Sequence, residues 1–100
     1  MNGEKDSQFG VVLETFSIYS SGFEICGEIK LCESGLIIRH QDAVYRTPFE
    51  FVQSLDMLGK SSLARVKARM GVFDQINGNT ELVFEISDLY FNKLKQLCKK

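Results

Sequence analysis

Hydrophobic and polar residues alternate along most of the chain. The clearest run covers residues 23–31, where an apolar residue or glycine occupies every second position. Further strand-like runs occur at residues 9–18, 36–40, 43–49, 49–57 and 80–86. A period of two residues is typical of a β-strand with one buried and one exposed face. The pattern therefore predicts a protein made mainly of β-strands.

Two local features refine this prediction. The apolar positions change parity between Leu13 and Phe16, which predicts a β-bulge near Glu14 and Thr15, because one extra residue reverses the alternation. Pro48 indicates an edge strand or a bend, because proline has no N–H to donate to a sheet. Turn sequences separate the strands at residues 20–22, 33–35, 41–42 and 77–78. The last of these, Asn-Gly, favours a two-residue hairpin.

Residues 61–73 are open to two interpretations. Small and apolar residues alternate there with Arg65, Lys67 and Arg69, which predicts a strand with a basic outer face. The same residue types are good helix formers. We favour the strand, because the neighbouring segments are strands. The alternative fold has strands as far as Leu58, followed by two helices.

The chain ends in a predicted amphipathic helix over residues 87–99. Ser87 or Asp88 can cap its first turn by accepting hydrogen bonds from N–H groups that have no partner within the helix. The apolar positions of this segment are Tyr90, Leu94, Leu97 and Cys98, with Phe91 beside them. Their spacing predicts one buried face, while the polar residues between them face outward.

Seven short strands followed by one terminal helix is the element order of the pleckstrin-homology (PH) superfold. Residues 27–38, with the sequence GEIKLCESGLII, resemble the strand–turn–strand pattern G-x-I-x-L-T-x-x-x-L of its GRAM and bacterial PH members. Residues 44–52 are similar to the next strand of these families, and residues 81–86 to the last strand before the helix. The resemblance implies a PH-like partly open barrel of about seven antiparallel strands with one C-terminal amphipathic helix. This single domain would span residues 9–100, after a flexible N-terminal tail of residues 1–8.

Two departures from the family pattern concern the ligand. Lipid-binding PH domains carry a cluster of Lys and Arg in the first hairpin, and the turn at residues 20–22 has none. The terminal helix lacks the Trp that is usual in PH domains proper. The resemblance therefore implies a binding domain and argues against phosphoinositides as its ligand.

Composition and charge exclude several classes of protein. The length of 100 residues corresponds to about one domain. A formal net charge of -1 and an isoelectric point near 5.8 give no general attraction to nucleic acid. No stretch approaches the ~18 apolar residues of a membrane span, and the polar N-terminus is unlike a signal peptide. We therefore expect a cytoplasmic protein.

The cysteines do not suggest a disulfide or a metal site. Cys26 and Cys32 would lie ~20 Å apart on one extended strand, at ~3.3 Å per residue, which is too far for a disulfide. The third, Cys98, forms no C-x-x-C pair with either, and a single His, His40, does not complete a zinc motif. We expect reduced thiols, no metal site and no cofactor.

Enzyme motifs are missing from the sequence, which has neither a phosphate-binding loop nor a nucleophile elbow. His40 lies beside the turn at residues 41–42, where we expect an exposed residue rather than a catalytic base. The carboxylates mostly alternate outward along the strands, so they do not converge on a pocket. These observations predict a non-enzymatic binding domain without catalytic residues.

The main candidate binding site is a row of basic residues, which we call the basic stripe: Lys60, Arg65, Lys67 and Arg69. Such a row can bind phosphate, a lipid headgroup or an acidic protein surface. The alternative is cross-strand pairing with Glu81 and Glu85 of the next strand. Arg39 and Arg46, on flanking strands, would extend the patch. Nucleic acid is not expected as a ligand, because no aromatic residues are interleaved on that face.

The second candidate site is a groove between the terminal helix and a sheet edge. Tyr90, Phe91 and Leu94 would line it, and the alternative places all three in the core. An unprotected strand edge at residues 9–18 or near Pro48 would also allow homodimerisation. The sequence thus predicts an adaptor domain that mediates protein–protein interaction or regulation through a protein partner. The alternative function is a peripheral module that binds lipid or an anionic ligand through the basic stripe.

Overall fold

The structure is a computed structural model that describes residues 5–21, 24–60, 64–76 and 78–99. These residues form β1 (Lys5–Asp6), β2 (Gly10–Ser21), β3 (Glu24–Cys32), β4 (Gly35–His40), β5 (Ala43–Pro48), β6 (Val52–Lys60), β7 (Arg65–Asp74), β8 (Gly78–Ser87) and one helix, α1 (Asp88–Cys98). A single 3-10 turn, Phe49–Phe51, joins β5 to β6. None of the helical segments in the described ranges is long and apolar enough to cross a membrane.

The strands pair in antiparallel fashion in the order β5-β4-β3-β2-β8-β7-β6, and β1 adds to the start of β2. β2 and β8 share a single bridge, with Tyr19 opposite Glu85. The strands therefore bend into a partly open barrel at this point. The predicted fold class, mainly antiparallel β-structure in a partly open barrel with one C-terminal helix, is confirmed.

The described residues contain eight strands rather than the expected seven, because the N-terminal segment contributes β1. Lys5 lies opposite Val11, and Asp6 lies opposite Gly10. The expected N-terminal tail of residues 1–8 therefore includes a short strand, while its first four residues lie outside the described ranges.

The predicted bulge is present in β2, close to the expected position. Val12 lies opposite Cys32 of β3. Glu14 lies opposite Leu31, so Leu13 is an extra residue without an opposite neighbour. Leu13 is 58% exposed as a result, whereas the apolar residues after the bulge face the core.

The strand interpretation of residues 61–73 is confirmed over Arg65–Asp74, and the helical alternative is wrong there. β7 pairs along its length with both β6 and β8, so sheet hydrogen bonds outweigh the helix propensity of its residues. Its inward positions, Val66, Ala68, Met70 and Val72, are buried. Residues 61–63 lie outside the described ranges, as do Gly22 and Asn77 of the expected turns.

The predicted C-terminal helix is confirmed, with a different buried face. Ser87 occupies the N-cap position, although its side chain makes no capping hydrogen bond. Phe91, Leu94 and Cys98 are buried against the barrel, whereas Leu97 is 40% exposed. The buried face therefore runs through Phe91, Leu94 and Cys98 and leaves out Leu97. The helix is rotated about its own axis relative to the prediction.

The core fills the barrel with aliphatic and aromatic side chains from both halves of the sheet and from α1. Its largest fully buried members are Ile18, Ile29, Leu36, Ile38, Leu55, Met70, Phe84, Ile86 and Leu94. Gly27 allows β3 and β4 to approach closely, because a Cβ at this position would lie 1.8 Å from the carbonyl oxygen of Arg39. None of the three cysteines, all of which lie in the described ranges, forms a disulfide.

Candidate functional site

An apolar pocket lies where β5 approaches the hairpin between β7 and β8. Its volume is about 150 Å³, and its apolar walls are Val44, Pro48, Phe51, Phe73 and Ile76. Gln8, Arg46, Asp74 and Gln75 supply its polar lining. We call this feature the corner pocket, because it occupies the corner where the barrel is closed by side chains instead of strand pairing.

The carboxylate of Asp74 connects the two elements that form the corner pocket. Its side chain is buried, and the carboxylate accepts hydrogen bonds from the backbone N–H of Arg46 at 2.9 Å and of Ile76 at 2.7 Å. The hydroxyl of Thr47 donates to the carbonyl oxygen of Phe73 at 3.2 Å. These contacts join β5 to the β7–β8 hairpin and hold Ile76 at the mouth of the pocket.

The N-terminal segment completes one wall. Nη2 of Arg46 lies 2.6 Å from both carboxylate oxygens of Asp6, and its Nε donates to Oε1 of Gln8 at 3.0 Å. The carboxylate of Asp6 also accepts from the backbone N–H groups of Gln8 and Phe9. The hydrogen bond from Arg46 and those two backbone groups hold the pKa of Asp6 below its ordinary value. Gln8 is thereby fixed in the wall of the pocket.

The mouth of the corner pocket exposes large apolar side chains. Ile76 is 90% exposed, Val44 is 50% exposed and Phe51 is 40% exposed. Phe51 packs edge to face on Phe73, with ring centroids 5.8 Å apart. Isolated exposed apolar residues are common on proteins, whereas these three surround one concave site.

Along the outer edge of β5, beside this pocket, two backbone positions have no free N–H group for pairing with another strand. The N–H of Arg46 points away from β4 and is taken by the carboxylate of Asp74. Pro48 has no N–H, so a second position on the same edge also lacks a donor. β5 is the terminal strand of the sheet, as Pro48 predicts, but neither of these two positions has a free N–H for an added strand. Homodimerisation through this edge stays a prediction.

In the segment at residues 9–18, β3 pairs along one side of β2, β1 covers Gly10 and Val11 on the other side, and the bridge to β8 lies beyond the segment at Tyr19. Homodimerisation through this segment stays a prediction.

The structure does not assemble the basic stripe as a row of exposed cations. Arg65 is only 7% exposed; its guanidinium lies 4.0 Å from the centre of the Tyr19 ring and 3.7 Å from the Glu85 carboxylate. Lys67 is exposed and lies opposite Glu85 in the ladder. The predicted cross-strand pairing with Glu85 is therefore present.

The other basic residues are dispersed. Arg69 lies 3.6 Å from Asp56 of β6, and Glu81 lies opposite Gly71 in the ladder instead of opposite a basic residue. Lys60 is exposed at the end of β6. Arg46 belongs to the corner pocket, and Arg39 lies on β4, which is not a neighbour of β7 in the sheet. These arginines do not extend a patch around β7.

Of the three predicted groove residues, only Tyr90 lines a cleft. Phe91 and Leu94 are 2% and 1% exposed and belong to the core, as their alternative interpretation predicted. The Tyr90 ring stacks on Phe16 with centroids 4.2 Å apart. It borders a shallow cleft of about 460 Å³ that also contains Arg65, between β2 and the start of α1.

His40 lies at the end of β4 with its ring near the backbone of β8. Its Nε2 lies 3.3 Å from the carbonyl oxygen of Val83, so its ring links the end of β4 to β8. Within the described ranges, no group of three or more His, Cys, Asp or Glu residues is placed to hold a metal ion.

Comparison of the chain with protein-family models, with curated proteins and with solved structures gives no match. The resemblance to PH, GRAM and bacterial PH domains therefore stays a prediction, and the candidate site rests on the geometry of this chain.

Sequence reasoning missed the corner pocket. Alternation predicts a strand at Val44 and another at Phe51, which instead lies in the 3-10 turn, and Asp74 belongs to no motif. One signal was available: Ile76 stands directly before the Asn-Gly turn, where polar residues are the rule and a large aliphatic side chain has little chance of burial.

Proposed function

We propose that this chain is a non-enzymatic protein-interaction domain that binds an apolar side chain of its partner in the corner pocket. The observation that carries the proposal is the cluster of exposed apolar residues, Val44, Phe51 and Ile76, around a concave site. Burial of apolar surface contributes about 25 cal/mol per Å². A partner that covers these side chains therefore gains more binding free energy here than on the polar faces of the sheet.

The shape and edges of the pocket define the partner. A cavity of about 150 Å³ accepts one group of roughly the size of a benzene ring. Strand addition to β5 is disfavoured, because Asp74 occupies the N–H of Arg46 and Pro48 has none. The partner should therefore present one aliphatic or aromatic side chain from a helix or a loop.

A PH-like architecture and a cytoplasmic location belong to the same proposal. The order of strands followed by one helix supports the first. Three cysteines without a disulfide support the second, because thiols stay reduced in the cytosol.

The alternative function, binding of lipid or an anionic ligand by the basic stripe, has less support. Arg65 and Arg69 lie beside the carboxylates of Glu85 and Asp56, which offset their charge. Flotation with neutral and with anionic vesicles tests this alternative directly. Flotation only with anionic vesicles would favour it, and equal behaviour with both would eliminate it.

A displayed library of random peptides, selected on the full chain, tests the proposed function. We expect the selected peptides to share one large apolar residue, whose replacement by Ala weakens binding at least tenfold. The variant Ile76→Asp should weaken binding of the same peptides tenfold or more. Leu89→Asp is the matched control, because Leu89 is 69% exposed on α1, outside the lining of the pocket.

The possible results of this selection distinguish the corner pocket from the exposed face of α1 as the binding surface. Peptides that bind the Ile76→Asp and wild-type proteins equally would contradict the proposal. Peptides that lose binding only with Leu89→Asp would instead point to the exposed face of α1.

A further inference from the structure

Ile76 is a large apolar side chain that projects almost completely into solvent. It is 90% exposed, although it stands beside an apolar pocket. Its backbone lies at the rim of the pocket, where its N–H donates to the buried carboxylate of Asp74 at 2.7 Å. The structure therefore holds a preorganised apolar projection next to a preformed apolar cavity, and preorganisation lowers the entropic cost of association.

The projection and the cavity match in size. The volume of about 150 Å³ suits one medium-sized apolar group, and Ile76 at the rim does not fill it. Because both features lie at the same place, a two-fold axis near the mouth lets each Ile76 enter the pocket of the other copy. Such an interface is isologous, so one association makes the same contact twice.

The charges around the mouth permit this approach. Arg46 and Asp6 are paired with each other, and Asp74 is buried and faces the backbone. Two copies that meet here therefore bring together neutralised groups and apolar side chains.

We infer that the corner pocket takes Ile76 of a second copy of this chain, an inference that rests on the proposed function of that pocket. The resulting homodimer pairs side chains and pockets, whereas the sequence suggested pairing of strand edges. Three exposed apolar side chains on each copy cover much less than the interface of a stable complex, about 1,200 Å² in total. The dimer is therefore weak and depends on protein concentration. A partner that inserts its own apolar side chain competes with it.

Sedimentation velocity of the full chain over a concentration series tests the inference. We expect the weight-average sedimentation coefficient to rise with concentration for the wild-type protein and for the control Leu89→Ala. The variant Ile76→Ala removes the projection and leaves the pocket. The variant Val44→Phe fills the pocket and leaves the projection. Each variant alone should lose the concentration dependence, with circular dichroism confirming that it is folded.

An equimolar mixture of the two variants gives a stricter test. One copy then retains a pocket and the other retains Ile76, so one of the two contacts can form. We expect the mixture to sediment faster than either variant alone. A fluorescence-transfer signal between labelled copies of the two variants should also appear.

A wild-type chain that stays monomeric at all concentrations, or an Ile76→Ala variant that associates as strongly as wild type, would overturn the inference. The peptide selection distinguishes this failure from failure of the proposed function. A monomeric chain whose selected peptides still depend on Ile76 overturns only the homodimer. A monomeric chain whose peptides ignore Ile76 overturns both.

Discussion

Asp74 joins β5 to the β7–β8 hairpin, and the substitution Asp74→Ala should therefore destabilise the protein and open the corner pocket. The carboxylate accepts the N–H of Arg46 at 2.9 Å and the N–H of Ile76 at 2.7 Å. A hydrogen bond to a charged acceptor contributes about 1.5–3 kcal/mol, and a buried donor that loses its acceptor costs a comparable amount. Water can replace the carboxylate at Ile76, which lies at the exposed hairpin tip, so its bond adds little.

The expected loss is therefore about 2–3 kcal/mol, mainly from the N–H of Arg46. For a domain of this size, a loss of 1 kcal/mol lowers Tm by about 4–8 °C, so Tm should fall by roughly 8–24 °C. Asp74→Asn keeps one acceptor oxygen and should lose about half as much free energy. Asp42→Ala is the control, because Asp42 is exposed in the turn between β4 and β5 and its replacement should change stability by less than about 0.5 kcal/mol.

Urea denaturation measured by circular dichroism provides the assay, with the dependence of the unfolding free energy on urea expected to be unchanged. A loss below about 0.5 kcal/mol for Asp74→Ala would refute the reasoning, because surface substitutions alone have effects of that size. Equal losses for Asp74→Ala and Asp74→Asn would show that the acceptor oxygens are not the cause.

Three further predictions concern stability. The hydrogen bond from Arg46 lowers the pKa of Asp6 in the folded protein. The contribution of Asp6 to the free energy of unfolding is therefore fully present above its pKa in the unfolded chain, and it is lost as the pH falls through its pKa in the folded protein. The difference in urea midpoint between wild type and Asp6→Asn should therefore shrink as the pH falls below 3.8; a constant difference would count against this linkage. Leu94→Ala should lower the free energy of unfolding, measured in urea, by about 2–5 kcal/mol, because Leu94 is fully buried. Leu97→Ala should lower it much less, because Leu97 is 40% exposed, and equal losses would contradict the observed buried face of the helix. His40→Leu removes the hydrogen bond between the end of β4 and β8 and should lower the free energy of unfolding by about 0.5–1.5 kcal/mol; an unchanged value would contradict this.

The location of the corner pocket shows why a surface pocket of a sheet protein is hard to predict from the sequence. Its walls come from β5, from the turn after it and from the β7–β8 hairpin, which are separated by more than twenty residues of chain. Periodicity assigns each residue to a face of its own strand, but it does not tell which strand ends meet when a sheet curves. That meeting depends on the single bridge between β2 and β8 and on Asp74.

Arg65 illustrates the same limit at one residue. Its parity in β7 was correctly predicted to oppose that of the buried Val66 and Ala68. Its burial was not predictable, because it depends on Tyr19 and Glu85, which belong to two other strands. A residue on the outer face of a strand is exposed only if nothing packs over that face.

The sequence by itself determined the features that depend on neighbouring residues. These are the β-strand content, the bulge in β2 and the helix that starts after Ser87, because alternation and turn chemistry act within a few residues. At Arg65–Asp74 the residues suit a strand and a helix, and pairing with β6 and β8 decides for the strand. Only the tertiary structure decided which helix face is buried, which cations are paired, how the edge of β5 is blocked and where the exposed Ile76 meets a pocket. Those features arise from contacts between distant segments, whose geometry is set by the curvature of the whole barrel.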